Sequence, residues 1–135
     1  DGIEDNVFAI FRNNETGVCA SLHSTMTQWR YLFSLEVFLE GGALILNGLK
    51  TSSGAYGDEV LTIKRNPSYL YDGRFESEET MTFDLDTSWQ SENDLFFDAI
   101  LNDKPVFSGS SQDALAVMEL IDQIYAVGKF EKEIR

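Results

Sequence analysis

The sequence predicts an α+β domain: a mainly antiparallel open sheet of about six strands, with two C-terminal helices on one face. Three observations lead there. Residues 33–48 read FSLEVFLEGGALILNG, a β-hairpin pattern. Short alternating segments recur on either side of it. Two stretches of helical periodicity come only late in the chain, and strands followed by helices is the α+β order.

The central hairpin is the clearest element. Phe33, Leu35, Val37 and Leu39 share one face, while Ser34, Glu36 and Glu40 share the other, the period of a half-buried strand. Gly41-Gly42 supplies a two-residue turn, and Ala43–Leu46 returns as a nearly all-apolar strand. Upstream, Val7–Arg12 forms a strand, Asn13–Gly17 a turn, and Val18–His23 a second strand. A polar link, residues 24–30, joins the two hairpins. Residues 49–57, LKTSSGAYG, read as a loop. Glu59–Lys64 is a strand, and Asn66-Pro67-Ser68 and Asp72-Gly73 are turn signals around a YLY segment. Residues 80–86 alternate again and leave Asp84 and Asp86 on a solvated face.

The first helix begins after Ser88, a good N-cap, and ends at Lys104-Pro105. Its apolar stripe is Trp89, Phe96, Phe97, Ile100 and Leu101. The second begins at Ser110, which forms a capping box with Asp113. It carries Ala114, Val117, Met118, Ile121, Ile124 and Tyr125 on one stripe, and Gly128 stops it. Both stripes are expected in the core, and the charged tail from Lys129 is expected to fray.

Composition narrows function. At 135 residues the chain is one domain, able to bury roughly two-thirds of its unfolded surface. Hydrophobic residues make up 43%, which excludes disorder. The net charge of −13 repels phosphate backbones and anionic membranes, so neither nucleic acid nor membrane is an expected partner. No apolar run approaches the roughly 20 residues of a membrane span. The one cysteine, Cys19, excludes an internal disulfide and is expected as a small residue near a packed face. With no signal peptide ahead of the domain, the expected compartment is cytoplasmic. The chain opens at Asp1 without an initiator Met, which suggests a piece of something longer.

No catalytic set is complete. One His and one Cys cannot build an ordinary zinc site, and no GxGxxG follows a strand. Five residues are candidates for substrate contact. His23 ends a strand before a polar loop and reads either as a satisfied structural histidine or as a ligand contact. Trp29 and Arg30 can stack on and clamp a ligand, or simply pack and pair at the surface. Lys50 and Tyr56 flank the Gly/Ser loop at the end of the central hairpin, where binding residues often lie.

The run ASLHSTMTQWRYLFSLEVFLEGGALILNGLKTSSGAYGDEVLTI resembles the C-terminal domain of the Gfo/Idh/MocA oxidoreductases, the family named for glucose–fructose oxidoreductase and inositol dehydrogenase. The ending resembles that family too. A W-x-x-E-x-x-x-F helix (Trp89, Glu92, Phe96) precedes a G-x-S-x-D-A helix (Gly109, Ser111, Asp113, Ala114). The likeness covers residues 5 to 127. It implies a parent with an N-terminal Rossmann domain, absent here, that binds NAD or NADP and supplies an E-K-P lysine. The family's D-x-x-x-H pair has no counterpart in this sequence, so no catalytic residue is carried over. Residues 1–135 would be the substrate-side and oligomerisation domain, binding no cofactor alone. It would shape a pocket for a sugar-like substrate and pair as a homo-oligomer through the open sheet face, with Ser34, Glu36 and Phe38. The other reading is a non-catalytic ligand-binding or dimerisation module of similar fold.

Overall fold

The protein is described here by a computed structural model, which describes residues 4–66 and 78–128. The YLY segment, the Asp72-Gly73 turn and the charged tail lie outside the described residues. Among the described residues, six strands and two helices follow in order: β1 (Asn6–Arg12), β2 (Cys19–Thr25), β3 (Ser34–Leu39), β4 (Gly42–Asn47), β5 (Glu59–Arg65), β6 (Glu79–Phe83), α1 (Ser88–Leu101) and α2 (Ser111–Val127). All strand pairs are antiparallel, so the α+β class is as the sequence predicts.

The strands do not join one sheet. β1 and β2 form a two-stranded sheet, and β3-β4-β5-β6 a four-stranded one. Alternation along a strand shows that it is half-buried, but it does not say which strand lies beside it. The chain falls into two compact units, Asp1–Thr27 with Asn93–Arg135, and Gln28–Glu92, the division lying within α1.

The second unit is a ladder with an apolar and a polar face. Leu35, Leu46, Leu61 and Met81 stand side by side across the four strands. Val37, Leu44 and Ile63 form the adjacent row. On the opposite face, Glu36, Ile45, Thr62 and Thr80 align, and Phe38 stands beside Ala43. Ile45 therefore shares the face of Phe38, and Leu44 the opposite one. The two turn residues are Glu40 and Gly41, one position earlier than the sequence reading, because Gly42 already pairs with Leu39. A Cβ on Gly42 would run into the Lys64 carbonyl, so the close approach of β5 requires glycine. Asn66 ties this turn down: its backbone N–H donates to Gly41 O and its Nδ2 to Glu40 O, both at 2.9 Å.

In the first unit, Asn13 organises the β1–β2 turn. Its Oδ1 accepts from the backbone N–H groups of Glu15 at 2.9 Å and Thr16 at 3.0 Å. The α2 cap is the expected box: Ser110 Oγ accepts from Asp113 N–H at 3.1 Å, and Asp113 Oδ2 accepts from Ser110 N–H at 3.0 Å. Gly128 closes α2 in an extended conformation, φ −63°, and not in the left-handed form typical of glycine stops. Ser88 lies inside α1 and is not its cap. Asp86 Oδ1 accepts from Ser88 N–H and Oγ there, and these bonds, led by the hydroxyl's, hold the Asp86 carboxyl below its ordinary range. Asp86 follows β6, which ends at Phe83.

No described residue is fully buried, against the sequence expectation of a covered core. Trp89, Phe96, Phe97, Ile100 and Leu101 of the α1 stripe are exposed, while Ile121 and Ile124 of α2 are half-buried. Cys19 is likewise exposed, its thiol donating to Gly17 O at 3.6 Å. The physical reason is plainest in the second unit. A sheet taken by itself is one layer, and a layer cannot bury its own apolar face.

The Asp113 carboxyl is held below its ordinary range, first by the Ser110 hydroxyl and then by the Ser110 N–H. A depressed folded value stabilises above the unfolded pKa and is lost as pH falls through the folded one. The α2 cap should therefore persist from neutral pH through the ordinary carboxylate range and fail only in stronger acid. Ser110→Ala should lower helicity and move that acid loss to higher pH, read by circular dichroism across a pH titration.

Candidate functional site

The β3–β4 ladder continues past its last strand pair, where Gly48 N–H donates to Phe33 O at 3.0 Å. This bond sets the incoming segment 30–33 beside the outgoing loop 48–58. The loop is a series of short turns. Gly54 N–H donates to Thr51 O at 3.0 Å, Gly57 N–H to Gly54 O at 3.2 Å, and Ser53 Oγ accepts from Ala55 N–H at 3.3 Å. Its base is closed twice. Lys50 N–H donates to Glu59 Oε2 at 2.9 Å, and Gly48, at φ 73°, lies against the backbone of Asp58.

Between segment and loop is a cleft of about 350 Å³. Arg30, Tyr31 and Phe33 line one side, Asn47 the floor near Gly48, and Tyr56 and Asp58 the loop side. The Tyr31 and Tyr56 rings meet edge to face, with centroids 5.4 Å apart and planes at 60°. Such a pair is favourable beyond its area. Tyr56 and Phe33 are half-buried and Tyr31 is exposed, so the wall has an anchored side and a wetter lip. Lys50 Nζ lies 3.7 Å from Asp58 Oδ1 and offsets its charge.

Arg30 and Tyr56 of the sequence candidates therefore meet at one cleft, with Lys50 behind Asp58. Trp29 is fully exposed and does not line the cleft. His23 belongs to the other unit. Its ring stacks on Phe8 at 4.0 Å with planes 8° apart, and its Nε2 lies 3.1 Å from Asn6 Oδ1. These contacts occupy one ring face and one ring nitrogen of an exposed side chain. Sequence reasoning missed Tyr31, Asn47 and Asp58. The signal was the hairpin register, which, carried one pair beyond Ser34 and Asn47, sets Phe33 against Gly48.

Among the described residues, no group of three His, Cys, Asp or Glu side chains is placed to hold a metal ion. No helix among them is long and apolar enough to cross a membrane. No protein-family model, curated protein or solved structure matches the chain.

Gly48 is the position on which the cleft turns. A Cβ there would collide with the Asp58 carbonyl and stand 3.1 Å from the Tyr56 carbonyl, in a backbone conformation that side chains disfavour. Left-handed backbone alone costs about 1–2 kcal/mol. Gly48→Ala should therefore destabilise by roughly 2 kcal/mol or more, measured by urea unfolding. It should also shift the Tyr31 and Tyr56 ring resonances, since the loop must move to admit the methyl group.

Proposed function

We propose that this chain is the substrate-side domain of an NAD(P)-dependent oxidoreductase that acts on a sugar, polyol or related carbinol. The observation that carries the reading is the cleft at the end of the four-stranded sheet. Two tyrosine rings, an arginine, an amide and a carboxylate converge there within about 350 Å³. Recognition sites of this kind combine apolar walls with a few polar groups that fix orientation. Aromatic walls suit the C–H faces of a polyhydroxylated ring, and Asn47 and Asp58 suit its hydroxyls. The ordered sequence likeness to the Gfo/Idh/MocA C-terminal domain supports the same reading.

The described residues do not fit a dinucleotide. Gly41 and Gly42 lead into a strand, so they offer no helix N-terminus to a pyrophosphate. The α2 N-terminus is already occupied by the Asp113 carboxylate. The cofactor and the base for the carbinol proton therefore belong to a Rossmann partner domain. The role proposed for this chain is to bind and orient the substrate and to shape the subunit interface.

A second reading, a dimerisation module, is favoured by one observation. Phe38 is 71% exposed on the polar face of the sheet, with Ile45 in the neighbouring row. Under either reading a homo-oligomer through that face is proposed. Phe38→Glu should shift a dimer to monomer in light scattering at several concentrations. A dimer indifferent to the substitution would remove this face as the contact.

Calorimetry separates the roles. Saturable binding of a neutral sugar or polyol in the millimolar range is expected, weakened at least tenfold in Tyr56→Ala, as loss of a buried aromatic contact implies. NAD and NADP at millimolar concentration should give no saturable heat. Cofactor binding by this chain, or no binding of any sugar or polyol, would overturn the reading.

A further inference from the structure

We infer that Arg30 makes the cleft selective for an anionic ligand: a single hydroxylated ring that carries a carboxylate or phosphate. The inference rests on the reading of the cleft as a substrate site and goes beyond it by naming the substrate's charge. Arg30 is the cation among the residues that line the cleft, and among the described residues no acidic side chain pairs with it. The chain has 23 acidic and 10 basic residues, so neutralising partners are abundant elsewhere. Arg65, by contrast, is paired to Glu79.

The local charge supports an anion despite the net −13. Asp58 is the acid at the cleft, and the Lys50 ammonium 3.7 Å away offsets it. The Arg30 guanidinium is thus the charge among the lining residues that no neighbouring ion offsets. Acids elsewhere on the surface are screened within roughly 8 Å at physiological ionic strength. A guanidinium presents a rigid fork that matches a carboxylate or phosphate with two parallel hydrogen bonds. About 350 Å³ lies at the small end of ligand pockets, which suits one ring bearing one anionic group and not a dinucleotide. The ring would rest on Tyr56 with its anionic group toward Arg30.

The test is calorimetry of the full chain with glucose, glucuronate and glucose 6-phosphate, repeated with Arg30→Gln and Arg30→Lys. At least one of the two anions is expected to bind about tenfold more tightly than glucose, the scale of a charge-assisted fork. Which anion is preferred distinguishes a carboxylate from a phosphate ligand. Arg30→Gln should erase the preference, while Arg30→Lys should retain part of it. Among the described residues Arg30 makes no hydrogen bond, so neither variant should alter the circular dichroism spectrum. Equal binding of glucose and both anions, or a preference that survives Arg30→Gln, would overturn the inference and leave the sugar-site reading standing. No binding of any of the three would overturn both.

Discussion

The register between β3 and β4 is the constraint on which the described site depends. Once Leu35 stands against Leu46, the side chains of four strands fall into rows, apolar on one face and mostly polar on the other. The same register brings Phe33 to Gly48 and so fixes where the loop leaves the sheet. A slip of one residue would turn Leu35 and Val37 onto the polar face and take Arg30 away from Tyr56. Two features guard against it. Gly42 admits the close approach of β5, and Asn66 holds the Glu40-Gly41 turn with both its backbone and its side chain.

Much of this was legible in the sequence because it is written in short-range terms. Strand positions follow from alternation, and the α2 cap from Ser110 and Asp113 three residues apart. The turn at Asn13 follows from a side chain that bonds its own backbone. What was not legible is lateral. Nothing in the VFAIFR or CASLHST patterns says that, among the described strands, β1 and β2 pair only with each other. The hairpin turn was read one residue late because Gly41 and Gly42 are equivalent as turn residues, and only the approach of Lys64 distinguishes them.

The candidate site shows the same division. Tyr56 and Lys50 could be picked out because they flank a Gly/Ser loop, and Arg30 because a cation beside an aromatic is a common clamp. Tyr31, Asn47 and Asp58 lie in three separate stretches and converge through backbone pairing. His23 was ambiguous in sequence, since a strand-end histidine before a polar loop suits either role. Its stack on Phe8 and its contact with Asn6 occupy one ring face and one ring nitrogen.

The outer strands of the four-stranded sheet, β3 and β6, carry a further consequence. Each presents backbone N–H and C=O groups on its outer side, a template for adding strands from another molecule. Leu35, Leu39 and Met81 are exposed along them. The net charge of −13 opposes uncontrolled pairing along these edges at neutral pH. That repulsion vanishes near the isoelectric point of about 4.2. Charge is thus one barrier to edge-to-edge association in this protein, and buffers near the isoelectric point weaken it.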